Sequence, residues 1–247
     1  MRWIRTTHKW LSLLLALQVL LWLLSGLYFN VMDSHKARGN TYRASSSAVQ
    51  ALHQPSDIDI NQLIAPNIIL GKTSPATDIQ LTQLLGEPIY IVRHKKGLYR
   101  HFVNHYSLFH AYTGEPFSLD ESHISQIAKV SYSGQGDMAS VSYFKSNLPE
   151  FPHQQNPSWQ VNFADELATS VYIEAATGRV IGHSDQHKRL TDIAFMLHFI
   201  DYGKSGNFNH GLIIFFALCF VWLAISGVTW SVQLAAKGEY RIGKKRS

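Results

Sequence analysis

Four histidines, His8, His35, His198 and His210, stand at the edges of the two longest apolar runs in the chain. A neutral imidazole offers one nitrogen with a free lone pair and one N–H, so it can ligate a metal while a neighbouring acceptor fixes its orientation. It can also serve simply as a polar residue at the boundary of an apolar layer. Two of the four, His198 and His210, bracket the turn in "MLHFIDYGKSGNFNH", immediately before an uncharged run that opens "GLIIFFALCF".

The elements that must position these rings are legible first as hydropathy. Residues 10–31, "WLSLLLALQVLLWLLSGLYFNV", and residues 211–235 each supply the roughly 20 mainly apolar residues that a helix needs to cross about 30 Å of hydrocarbon. The first run is longer than a signal-peptide core and lacks a small-residue cleavage pattern, which predicts a retained helix. Arg2, Arg5 and Lys9 precede it, and residues 236–247 form a basic tail with Lys237, Arg241, Lys244, Lys245 and Arg246, so both ends are expected on the cytoplasmic side. Residues 32–209 are then expected to be translocated. The excess of 22 Lys and Arg over 17 Asp and Glu is read as a topology and headgroup signal, with no case for nucleic acid. Cys219, the sole cysteine, lies in the second run, so the intervening domain has no disulfide and no cysteine metal site.

Within that domain the pattern is expected to occur twice. A serine-rich linker or frayed helix at 32–56 leads to a first unit at 57–117, with a helix expected in "PATDIQLTQLLGE", a hairpin turn at Lys95-Lys96-Gly97 and a second turn at Tyr112-Thr113-Gly114-Glu115. The second unit, 118–186, opens on a capping box expected from Ser118 and Glu121. Strands are expected in "SWQVNF" and "SVYIEAATGRVIG", the latter with its own Thr-Gly turn. Residues 187–202 suit a short interfacial helix with Leu190, Ile193, Ala194, Leu197 and His198 along one flank, before Gly203 and Gly206 turn the chain. The fold class is therefore an α+β membrane protein, two transmembrane helices flanking a domain of two helix-plus-antiparallel-sheet units. Ser25-Gly26 and Ser226-Gly227 place small residues inside the helices, where backbones or a flat ring can approach; Gln18 suits an interhelical hydrogen bond. His94, His101, His105 and His110 do not share a strand face, which favours sheet-surface histidines over a metal site. No nucleotide cradle or nucleophile elbow occurs.

"HKWLSLLLALQVLLWLLSGLY" at 8–28, "VYIEAATGRVIG" at 171–182 and "LHFIDYGKSGNFNHGLIIFFALCFVWLAISGV" at 197–228 together resemble the PepSY-associated transmembrane (PepSY-TM) family of bacterial inner-membrane proteins. The resemblance covers both apolar runs and the second unit; the first unit matches in outline. It implies a PepSY-like periplasmic domain and, by likeness to ferric-siderophore reductase members, haem b held by His198 and His8; His210 and His35 are further candidates by their placement at the edges of the apolar runs alone. The implied function is an electron-transfer component, possible ferric-reductase type, acting on a periplasmic acceptor such as a ferric complex. The alternative is a non-catalytic membrane-anchored module that binds or regulates a periplasmic partner. A Cys-x-x-Cys-His attachment site is absent, so a haem would be held by ligation and packing. Larger members have four or more helices, so with two here a site built between four helices implies a homodimer or a partner membrane subunit. His8 and His198 lie at opposite ends of the first helix and would serve two separate levels.

Overall fold

The computed structural model describes residues 2–51, 58–146, 148–203 and 209–238. The turn residue Gly206 and the tail residues Arg241, Lys244, Lys245 and Arg246 fall outside them. The chain divides into two compact units: Met1–Met32 with Asp192–Ser247, and Asp33–Thr191. In order, the elements are α1 (Arg2–Val31), α2 (Ser34–Ala37), α3 (Ser46–Ala51), a 3-10 turn (Ile60–Gln62), α4 (Pro66–Gly71), β1 (Asp78–Leu84), β2 (Glu87–Lys95), β3 (His105–His110) and β4 (Pro116–Phe117). Then follow α5 (Glu121–Ser131), β5 (Asp137–Phe144), β6 (Ser158–Ala164), β7 (Ser170–Glu174), β8 (Val180–Ser184), α6 (Gln186–His198) and α7 (Gly211–Ala236). The protein is thus α+β, with two apolar helices at the ends of the chain flanking a two-sheet antiparallel domain. α1 and α7 are both long and apolar enough to cross a membrane.

The β-domain consists of two four-stranded antiparallel meanders, β1-β2-β3-β4 and β5-β6-β7-β8. Alternation along β2 sends Ile89 and Ile91 to one face and Tyr90 and Val92 to the other. The first face joins Leu84, Leu108, Ile124 and Ile127 of α5, and Val161, Phe163, Val171 and Ile173 of the second sheet in one core. The opposite face is covered by Ile69 of α4 with Leu63 and Ile64. Each sheet therefore has a preceding helix packed on it.

The two halves share a turn down to its hydrogen bonds. Gly114 N–H donates to His110 O at 2.8 Å, and Gly178 N–H donates to Glu174 O at 2.9 Å. The Thr113 and Thr177 hydroxyls accept from the N–H of Glu115 and Arg179, each at 3.3 Å. Both glycines have positive φ, 67° and 69°. A Cβ on Gly114 would lie 2.9 Å from Ile64 and 3.4 Å from Ile69, and one on Gly178 would lie 2.9 Å from Ile127 and 3.2 Å from Leu119. Glycine is thus required twice over at each turn, by backbone conformation and by the closeness of the apolar core.

Several local expectations are revised. "PATDIQLTQLLGE" forms β1 and a hairpin turn, because Leu85 and Gly86 both take positive φ and return the chain as β2. The helix of the first half is α4, upstream, begun by Pro66. The Lys95-Lys96-Gly97 turn is instead the start of a longer loop that ends at β3. α5 is capped by Asp120, whose carboxylate accepts from His123 N–H at 3.0 Å, in place of the Ser118–Glu121 box. Residues 33–51 are built into the domain: Arg43 bridges to Tyr132, Ala44 N–H reaches Ser131 O at 2.9 Å, and Gly39 lies close against His183 O.

His183 is buried beside that strap, with Nε2 and the Ser131 hydroxyl 2.6 Å apart and no partner for Nδ1 among the described residues. Burial, with Arg43 adding to it, pushes its pKa down to about 4. The unfolded chain therefore takes up a proton near pH 6.5 that the fold refuses until near pH 4, and stability falls as pH drops through that window. The steepest slope is about 1.4 kcal/mol per pH unit. We predict that the urea midpoint of detergent-solubilised protein falls from neutral to mildly acidic pH, and falls less in His183→Gln. Gly178→Ala should lower stability by about 2 kcal/mol or more from the φ term and the crowding of Ile127. Thermal unfolding followed by near-UV circular dichroism checks this value against that of the wild type.

Candidate functional site

α1 presents a stripe of Leu15, Gln18, Trp22, Ser25 and Phe29, three or four residues apart and buried or half-buried, while Leu13, Leu14, Leu17 and Leu24 remain exposed. Gln18 and Ser25 are buried, and buried polar groups need partners; Gln18 and Trp22 find theirs at the C-terminal end of α6, where backbone carbonyls lack helical partners. Gln18 Nε2 donates to Leu197 O at 3.1 Å, and Trp22 Nε1 donates to His198 O at 2.6 Å. Tyr202 closes the set by donating its hydroxyl to Gln18 Oε1 at 2.9 Å.

This clamp sets the His198 ring against α1, with Phe29 edge-on at 5.4 Å and Phe199 at 5.2 Å. His198 Nδ1 lies 2.9 Å from Ser25 Oγ. The Ser25 hydroxyl also lies 2.6 Å from Leu21 O and 3.3 Å from Trp22 O. With its proton donated to Leu21 O, Ser25 Oγ accepts from Nδ1–H, the tautomer that leaves the Nε2 lone pair available. Among the described residues nothing hydrogen-bonds that Nε2. The ring edge, through Cε1, faces Gly26 at ordinary contact distance for a Cβ.

The same arrangement recurs between α1 and α7. His8 Nδ1 lies 2.7 Å from Ser226 Oγ, and the same hydroxyl lies 3.2 Å from Leu223 O. Gly227 lies under the His8 ring edge, and a Cβ there would stand 3.3 Å from Cε1. Trp230 stands edge-on to the ring at 5.9 Å. His8 is inside α1 rather than ahead of it, because the helix begins at Arg2. Each Ser-Gly pair therefore orients one histidine, a role beyond the helix packing that its small residues suggest. The two sites lie 17 residues apart along α1, between His8 and Ser25, or roughly 25 Å at about 1.5 Å per residue.

His210 is held differently. Its Nδ1 accepts from Ile213 N–H at 3.4 Å as the N-cap of α7, and its Nε2 donates to Phe199 O at 3.2 Å. Both ring nitrogens are engaged. His35 stands exposed in α2, where its backbone N–H donates to the Asp33 carboxylate. On α6, Leu190 and Ile193 are about half exposed while Ala194 is buried, so the packed flank is narrower than the apolar pattern implies. His94 and His110 bond to neighbours on their own sheet, Ser107 and Glu87. Among the described residues no three His, Cys, Asp or Glu side chains gather as a metal site.

The chain matches no protein-family profile, no curated protein and no solved structure.

Gln18→Leu removes one donor and one acceptor from the clamp and leaves the Leu197 carbonyl without its partner. We predict a loss of about 1–2 kcal/mol in thermal unfolding of the full chain in detergent. Gln18→Glu, which keeps the acceptor for Tyr202, should lose stability in the same assay unless its carboxyl group is protonated.

Proposed function

We propose that the chain is a PepSY-TM-like inner-membrane protein that holds haem b through His198 and His8 and passes electrons across the bilayer to a periplasmic acceptor such as a ferric complex. The observation that carries this reading is the pairing of each Nδ1 with a helix serine, while Nε2 of both rings has no hydrogen-bond partner among the described residues; with Nδ1–H donated to the serine, each Nε2 can ligate a metal. Gly227 leaves the His8 ring edge room that a Cβ, 3.3 Å from Cε1, would narrow.

Under this reading α1 and α7 cross the membrane with both ends of the chain in the cytoplasm, by the positions of Arg2, Arg5 and Lys9. Haem b, when bound, supplies reversible one-electron chemistry at an iron whose potential is set by its axial ligands and surroundings. The chain's own residues orient the ligands, exclude water with Trp22, Phe29 and Phe199, and keep the two rings at separate levels along α1. Since each level has one such histidine, a second copy of the chain would complete both ligand pairs. His210, whose nitrogens are both engaged, acts as a helix cap.

Full-length protein purified from haem-replete cells should show a Soret band, with His8→Ala and His198→Ala each losing about half of it and the double variant nearly all. His210→Ala and His35→Ala should keep the band. A colourless wild type, or a band indifferent to both His8 and His198, would overturn the reading in favour of a non-catalytic anchored module.

A further inference from the structure

A cleft of about 390 Å³ opens in the β-domain between two loops, one following β2 and one following β5. Its shape is built by a buried amide. Asn156 Nδ2 donates to Arg100 O at 3.1 Å and Phe102 O at 2.8 Å, while its Oδ1 accepts from Asn104 N–H at 2.8 Å. Gln155 N–H adds a bond to His101 O at 2.8 Å. The two loops are therefore joined through backbone carbonyls that a moving loop would leave without partners.

One wall is apolar, formed by Phe151, Pro152 and Ile181. The rest offers an excess of donors. Among the described residues, Arg100 has no carboxylate partner and neither His101 nor His153 hydrogen-bonds through its ring; the two ring centroids lie 6.2 Å apart. Gln154 is 3 % exposed, and its Nε2 has no partner among the described residues. Such a buried donor in a native fold calls for an explanation. Lys188 lies over the Phe151 ring, its Nζ 5.1 Å from the centroid.

The acceptors that could answer these donors are already occupied. Glu150 Oε1 accepts from Arg189 Nε at 2.5 Å and Oε2 from the Tyr172 hydroxyl at 2.9 Å. Burial alone would raise the Glu150 pKa, but the polar neighbours Ser184, Arg189 and Tyr172, with the Arg189 charge, outweigh it and hold the carboxyl below its ordinary range. Arg179, also at the cleft, is paired with the buried Glu174.

We propose that this cleft binds a small organic anion, a carboxylate on an apolar or aromatic body, with the body against Phe151, Pro152 and Ile181 and the carboxylate taken by Arg100, His153 and the Gln154 amide. The site lies wholly in the β-domain and does not depend on haem binding.

Isothermal titration of the full-length protein in detergent tests it, with benzoate as the probe, benzamide as its neutral isostere, and inorganic phosphate and zinc as controls. Benzoate should bind saturably at one site, at least about tenfold tighter than benzamide or phosphate. Arg100→Gln and His153→Gln should each weaken it by about tenfold, while Lys129→Gln on α5 leaves it unchanged. Circular dichroism of each variant verifies folding. Equal binding of benzamide, or of phosphate, would overturn the proposal, as would benzoate binding indifferent to Arg100 and His153. Zinc binding lost in both His101→Gln and His153→Gln, with no benzoate heat, would show a metal site instead.

Discussion

Two histidines of this protein each present Nδ1 to a serine inside a helix, and that pairing decides how each ring can act. Ser25 and Ser226 also reach the carbonyl of a preceding turn. An imidazole that donates Nδ1–H to such a serine keeps the lone pair of Nε2, and among the described residues nothing hydrogen-bonds that nitrogen in either ring.

The neighbouring stripe on α1 follows the same rule. Gln18 and Trp22 reach the last carbonyls of α6, groups that any helix leaves without internal partners. That polar demand attaches the end of α6 to α1 and delivers His198 opposite Ser25. At the other end, α7 brings Ser226 to His8 directly. Two separate structural routes thus produce the same local chemistry, a histidine oriented by Ser-Gly.

Duplication also runs through the β-domain. The Thr-Gly turns at 113–114 and 177–178 share hydrogen bonds, φ values and a close approach to the preceding helix. Their surroundings differ. His110 in the first half occupies the position taken by Glu174 in the second, and Glu174 there binds Arg179 and Thr177. The second half also carries the loop that meets the first to shape the cleft. The common frame supplies rigidity, and the departures from it supply polar groups that a ligand can use.

The two apolar helices were legible in the sequence because the requirement is local: length and hydropathy along one segment. The Thr-Gly turns were legible for the same reason, since positive φ favours glycine wherever the chain folds back. The first-half helix was not, because Leu81, Leu84 and Leu85 suit a helix as well as a strand, and only pairing with β2 decides between them. Asp120 took the cap expected of Ser118 two positions away, a choice set by where the chain enters the core. Sequence placed all four candidate histidines at the edges of apolar runs and ranked His198 and His8 first by placement and resemblance. The tertiary structure adds a physical difference: Nε2 of His8 and His198 has no partner among the described residues, whereas both nitrogens of His210 are engaged. A tautomer depends on the partners of both ring nitrogens, and those partners come from residues up to 218 positions away in the chain.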